Sequence, residues 1–87
     1  MVRMYVRHQV TDYSTWRKVY DAFDKASRGV RGNAVYRGLD EPNDITVWHD
    51  FDDREAAESF AGSDDLKTTM AEAGVEGEPT IWFTSQV

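Results

Sequence analysis

His8 and His49 are the only histidines in the chain. No other side chain in it can accept or release a proton near neutral pH without a large pKa shift. The first chemistry to consider is therefore acid–base: a neutral imidazole removing a proton from a phenol or a carbon acid. The other role open to each histidine is that of a partly buried side chain hydrogen-bonded to a neighbour or to the backbone. Cysteine is absent, which excludes disulfides, thiolate nucleophiles and cysteine-ligated metal or iron–sulfur sites. No third ligand joins the two histidines at a fixed spacing, so no metal is expected. No Gly-rich phosphate loop follows a strand, and no lysine sits in a Schiff-base motif. The expectation is a protein that holds no organic cofactor and is colourless when purified.

Both histidines fall in segments that read as strands. Asp44–Phe51 alternates Ile45, Val47, His49 and Phe51 against Thr46, Trp48 and Asp50. Bulky residues on both sides mark it as a central strand that needs cover on each face. Val2–Val10 alternates Val2, Met4, Val6, His8 and Val10 against Arg3, Tyr5, Arg7 and Gln9, the period of a first strand. His8 and His49 thus share the parity of the aliphatic residues and should project into one space, with turnover rising through a pKa near 6–7. Their separation depends on a register that the pattern does not fix.

The remaining elements follow from spacing and caps. Thr11 or Asp12 can cap a helix in which Tyr13, Trp16, Val19, Tyr20, Phe23 and Ala26 recur every three or four residues, ending near Arg28–Gly29. Asn33–Leu39 reads as a strand joined to the central one by the turn Asp40–Asp44. Asp52-Asp53-Arg54-Glu55 resembles a capping box with Asp52 as the cap. Ala56, Ala57 and Phe60 give the next helix its buried stripe, Ser63 can recap, and Leu66, Met70 and Ala73 continue an apolar face up to Gly74. After Pro79, Thr80–Val87 reads as the last strand, with Ile81 and Phe83 opposite Trp82 and Thr84.

The order β-α-β-β-α-β defines a ferredoxin-like α+β fold, an antiparallel sheet with two helices on one face and the first and third strands side by side at its centre. One domain covering residues 1–87 is expected. Trp16, Tyr20 and Phe23 on the first helix, with Met70 and Phe83, are candidates for holding a flat aromatic ligand in the layer between sheet and helices; core packing is the other role for such a stripe. On the opposite face, Tyr5, Trp48 and Trp82, with Tyr36 or Val35, have nothing in the chain to cover them. A second copy would do so, giving a homodimer packed sheet to sheet.

Charge narrows the partners. The net charge is −6, with ten Lys and Arg scattered along the chain, which disfavours nucleic acid and an anionic membrane surface. No apolar run reaches the roughly 18–20 residues of a membrane span, and Met1-Val-Arg-Met lacks a signal-peptide pattern, so a cytoplasmic location is expected. Arg7 and Arg37 could neutralise an acidic ligand or form surface ion pairs. The pairs Asp52-Asp53 and Asp64-Asp65 sit at helix starts, where they cap and complement the helix dipole.

Three stretches resemble the dimeric α+β barrel superfamily, in particular its small antibiotic-biosynthesis-monooxygenase-like and cyclase-like proteins. These are Arg7-His8-x-Val10-x-Asp12-Tyr13-x-x-Trp16, the hairpin Asp40–Asp44 before Ile45-Thr-Val-Trp-His, and Ser63-x-x-Leu66-x-x-x-Met70-x-x-Ala73-Gly74-Val75 before Pro79. The resemblance implies a homodimer with a small-molecule pocket in each subunit between sheet and helices. It also implies activities as varied as cofactor-free oxygenation, isomerisation and cyclisation, or none. The chain lacks the helical Asn-x-x-x-Trp pair of the quinone-forming oxygenases. Only the pocket location and His8 of His-x-Val-x-Asp-Tyr carry over. Two readings stand: a cofactor-independent enzyme using His8 and His49 on an apolar or aromatic metabolite, and a non-catalytic binding or structural dimer.

Overall fold

The computed structural model describes all 87 residues. Strand β1 (Val2–Val10) leads through Asp12 into helix α1 (Tyr13–Ala22), whose cap is the Asp12 carboxylate accepting from the Thr15 N–H. Strands β2 (Gly32–Arg37) and β3 (Asp44–Phe51) form the expected hairpin. Helices α2 (Arg54–Ala61) and α3 (Asp64–Glu72) then precede strand β4 (Val75–Ser85). The sheet is antiparallel in the order β2-β3-β1-β4, so β1 and β3 lie side by side at its centre. The fold is ferredoxin-like α+β with the second helical segment divided at Gly62, where Ser63 caps α3 by accepting from the Leu66 N–H.

Strand parity holds. Met4, Val6, His8 and Val10 of β1 and Ile45, Val47, His49 and Phe51 of β3 are all buried beneath the helices. They belong to two apolar clusters. One joins Met4, Val6, Phe51, Ala57, Phe60 and Leu66 with Val30; the other joins Val10, Trp16, Ile45, Val47 and Ala73. Val35 packs with the second cluster, which leaves Tyr36 to the open face, where its hydroxyl accepts from the Trp48 indole N–H.

Several boundaries differ from the sequence expectations, among them the first residue of β2, Gly32 in place of Asn33, and the last of β4, Ser85 in place of Val87. Helix α1 stops at Ala22 instead of continuing to Arg28. The Lys25 ammonium donates to the carbonyls of Tyr20 and Phe23, at 2.7 and 3.1 Å, supplying end carbonyls with partners from beyond the helix. A separate 3-10 turn, Ala26–Arg28, follows and ends at Gly29. The cap of α2 is Asp53, which accepts from the Ala56 N–H at 2.8 Å, because Asp52 is held by Arg31 at 2.9 Å. Strand β2 ends at Arg37, two residues short of Leu39, which is fully exposed.

The longest shift is in β4, which starts at Val75 rather than Thr80. Arg7 faces Thr80 while Gln9 faces Glu76, so three residues, Gly77 to Pro79, bulge opposite the single residue His8. An edge strand tolerates proline there because Pro79 lies among the unpaired residues of the bulge. Gly77 takes φ +66° within the bulge. At the start of β4, Gly74 has φ +80°, and a Cβ on it would lie 2.5 Å from Thr11 Oγ1. Only glycine suits this helix stop.

Candidate active site

Between the two clusters lies a cavity of about 40 Å³. Its floor is Val6 and His8 of β1 with Val47 and His49 of β3; its walls come from α1, α2 and α3. The register now sets the spacing of the histidines. His8 pairs with Ile45 and His49 with Met4, which places the rings four residues apart along the strands, roughly 13 Å. Both nevertheless line the same cavity.

The two imidazoles have different surroundings. His8 is 7% exposed and lies 5.7 Å from the Trp16 ring, tilted by 58°. Neither of its ring nitrogens has a hydrogen-bond partner among the protein's own groups. His49 is 4% exposed and sits between Tyr20 and Phe60, with Nε2 3.0 Å from the Tyr20 hydroxyl and Nδ1 unpartnered. An unmade hydrogen bond on a buried polar atom costs roughly 1–3 kcal/mol, so three such atoms around one small cavity are conspicuous. Functional sites accept this cost more readily than packing sites do.

Burial dominates the electrostatics. Removal from water pushes the His8 pKa down to about 4 against the opposing pull of the Asp44 charge. The same cause takes His49 to about 4, helped by the positive charge of Lys25 and opposed by Asp50. These values lie below the 6–7 expected from the sequence, where the depth of burial was not legible. Burial also raises the Tyr20 pKa, so its hydroxyl stays protonated. At neutral pH the site therefore contains two neutral imidazoles and a phenol; the burial that keeps the imidazoles neutral also makes each a weaker base than a free histidine, so a proton is accepted there only with an anion formed beside it to offset the charge.

Helix α1 lays an aromatic stack over this pair. Trp16 and Tyr20 are 4.8 Å apart and nearly parallel, and Tyr13 extends the row at 6.1 Å from Trp16. The row ends on cations, with Arg37 4.0 Å from the Tyr13 ring and Lys25 4.2 Å from the Tyr20 ring.

Four of the five sequence candidates for ligand contact, Trp16, Tyr20, Phe23 and Met70, line the cavity. Phe83 does not; paired with Met4 from the edge strand, it is partly buried against the cluster that holds Met4. Thr69 also lines the cavity beside Met70, although a threonine between two apolar helix positions carries no pattern signal. The Tyr20–His49 contact joins residues 29 apart and was invisible to local spacing. Tyr5 and Trp82 stack at 5.1 Å on the opposite face, where the Arg3 guanidinium lies 3.6 Å from the Trp48 ring. Arg7 pairs with Asp44 rather than facing the cavity, and Arg37 donates to the Pro42 carbonyl. No three His, Asp or Glu side chains gather in metal-ligating geometry, and no helix is long and apolar enough to cross a membrane.

No protein-family model matches the chain, and no curated protein matches it in sequence. Solved structures do match. An antibiotic biosynthesis monooxygenase aligns with a TM-score of 0.74 at 11% identity, over 100% of this chain and 99% of the other. A protein of Caulobacter crescentus CB15, provisionally named an antibiotic biosynthesis monooxygenase, gives 0.76 at 20% identity over 99% and 89% of the two chains. A conserved protein from Methanosarcina mazei Go1 gives 0.76 at 16% over 99% and 92%. Likeness at such identities speaks for architecture, and the chain has the fold of the antibiotic-biosynthesis-monooxygenase-like structures.

Proposed function

We propose that residues 1–87 form one domain of a homodimeric, cofactor-independent enzyme of monooxygenase, cyclase or isomerase type, acting on an aromatic or polyketide-like metabolite. The observation that carries this reading is His8: a neutral imidazole, buried in an apolar cavity, with no protein group bonded to either ring nitrogen. A phenol or carbon acid bound there would lose its proton to His8, leaving a phenolate or enolate beneath the Trp16–Tyr20 stack. Excluding water from that space raises the reactivity of the anion. The likeness in fold to proteins named as monooxygenases supports the reaction class.

The cavity bounds the mechanism. At about 40 Å³ it has room for a few waters at most, well below the roughly 300–1,000 Å³ of ligand pockets. Binding a metabolite requires the wall to move. Helix α3 is the element placed to do so: nine residues long, bounded by Gly62 and Gly74, with Leu66 its only buried residue. The same small volume favours the second reading, a dimer with no catalytic role. The two are separated by screening fused-ring phenols such as 1-naphthol for oxygen uptake or product formation by the wild type and His8→Ala. The enzyme reading expects turnover that falls on the order of 10²–10⁴-fold in the variant. A wild type that neither binds nor turns over any of them supports the second.

The homodimer is part of the same proposal. Tyr5, Trp48 and Trp82 share the open face with Arg3–Asp50 and Arg7–Asp44, both two-pronged ion pairs with contacts of 2.7–3.0 Å. Charges already paired in this way are the kind a protein interface can bury. A total buried area above about 1,200 Å² is expected for a stable pair.

A further inference from the structure

The hydrogen bond between Tyr20 and His49 selects a tautomer. Two arrangements fit the 3.0 Å contact between the Tyr20 hydroxyl and His49 Nε2. In one, the phenol O–H donates to a bare Nε2 and the imidazole proton sits on Nδ1. In the other, Nε2–H donates to the phenol oxygen, leaving the Tyr20 proton without an acceptor and the Nδ1 lone pair without a donor. A phenol is a stronger acid than a neutral imidazole N–H, and an imidazole nitrogen is a better acceptor than a phenol oxygen. Both differences favour the first arrangement, which leaves fewer groups unsatisfied. Burial holds the phenol protonated and the imidazole neutral, so neither partner escapes the choice by ionising.

Tyr20 is itself held in place. Its ring is stacked on Trp16 on one side, the Lys25 ammonium lies 4.2 Å from the ring centre, and the same ammonium bonds the Tyr20 carbonyl at 2.7 Å. The hydroxyl therefore has little freedom to turn away from His49. His8 has no corresponding partner, because none of its neighbours offers it a hydrogen bond.

We propose that Tyr20 is a positioning residue that fixes the proton of His49 on Nδ1, so that His49 enters the site as a hydrogen-bond donor while His8 enters it as a proton acceptor. The catalytic half of this statement rests on the reading of His8 as base. Because the register sets His8 and His49 roughly 13 Å apart along the strands, the His49 N–H would meet the anion formed at His8 only where its charge is delocalised onto a second oxygen at the far end of the ligand, and the ligand class narrows to extended phenolates and enolates of that kind.

Nitrogen-15 NMR of histidine-labelled protein near pH 7 tests the tautomer without any substrate. The expected wild-type spectrum has a protonated, pyrrole-type Nδ1 and a bare, pyridine-type Nε2 for His49. In Tyr20→Phe, which keeps the stacked ring and deletes only the hydroxyl, the His49 signals should move toward the Nε2-protonated form, with the His8 signals unmoved as an internal control. A wild-type His49 carrying its proton on Nε2 would overturn the proposal, and so would an unchanged His49 pattern in Tyr20→Phe. Should Tyr20→Phe fail to fold, the wild-type spectrum alone still decides the tautomer. Turnover separates the two claims: a Tyr20→Phe enzyme as fast as the wild type defeats the positioning role and leaves His8 as base, whereas full activity in His8→Ala defeats the base and leaves the tautomer standing.

Discussion

The two faces of the sheet are made from alternate residues of the same strands, and they treat polarity in opposite ways. On the open face, Arg3 and Arg7 are paired with Asp50 and Asp44, and the Trp48 N–H has Tyr36 as its acceptor. On the helix-covered face the environment is almost wholly apolar, yet three ring nitrogens of His8 and His49 are buried with no partner. A face built only for packing would carry aliphatic residues at both positions, as it does at the neighbouring Val6 and Val47. The contrast is the basis for proposing association on the face whose charges are already satisfied and chemistry on the face whose polar atoms are not.

The largest effect expected from breaking this contrast is on the open face. Trp48→Asp would place an unpaired carboxylate from each subunit in the proposed sheet-to-sheet interface, at a cost of roughly 3–5 kcal/mol per charge. Sedimentation should show a monomer of about 10 kDa or unfolded chain where the wild type gives a dimer. A wild type that is already monomeric at micromolar concentration removes the basis for the interface.

On the covered face, Phe51→Ala deletes a side chain with no exposed surface, packed against Phe60 at 5.3 Å. Chemical denaturation should register a loss of about 3–5 kcal/mol. A loss under about 1 kcal/mol would mean that this face is not the core.

Acid should sharpen the contrast at the histidines. Each has a folded pKa of about 4 against about 6.5 unfolded. Between these values the unfolded chain binds more protons, so stability falls as pH drops from about 6.5 to 4 and is flat with respect to these groups above 6.5. The full effect is on the order of 3 kcal/mol per histidine. The paired aspartates, whose pKa values are held below the usual range by Arg3 and Arg7, add acid sensitivity only lower down, below about pH 4. His8→Phe should remove about half of the histidine-dependent slope in urea melts at pH 4 to 6.5. An unaltered slope would mean that His8 titrates normally.

The smallest change expected is in the pH profile of catalysis. kcat/KM should be level from about pH 5 upward through neutrality and fall toward pH 4 as His8 of the free enzyme is protonated. An inflection at 6–7 would show that His8 is better hydrated than its 7% exposure implies.

Much of this organisation is legible in the sequence because it rests on strand parity. The alternation in Val2–Val10 and Asp44–Phe51 is enough to put both histidines on one face and Tyr5 and Trp48 on the other, and helix spacing brings Trp16, Tyr20 and Phe23 over the same layer. What escapes are interactions that reach outside the local pattern. Lys25 turns back to end α1, Arg31 takes Asp52 away from the cap of α2, and the bulge at Gly77–Pro79 lets β4 begin five residues early. The same limit hid the Tyr20–His49 bond and the depth of burial that lowers both histidine pKa values. Phe83 has the correct parity for the helix face, but its edge strand delivers it to the margin of the core instead of the cavity.

The central claim, that His8 is left unpartnered in order to take a proton, is tested most directly by the turnover of His8→Ala against the wild type on a panel of fused-ring phenols, with both proteins confirmed dimeric and folded. A wild-type rate on at least one phenol and a loss of roughly 10²–10⁴-fold in the variant is the predicted result. Equal rates, or a wild type inert toward the whole panel, would contradict it.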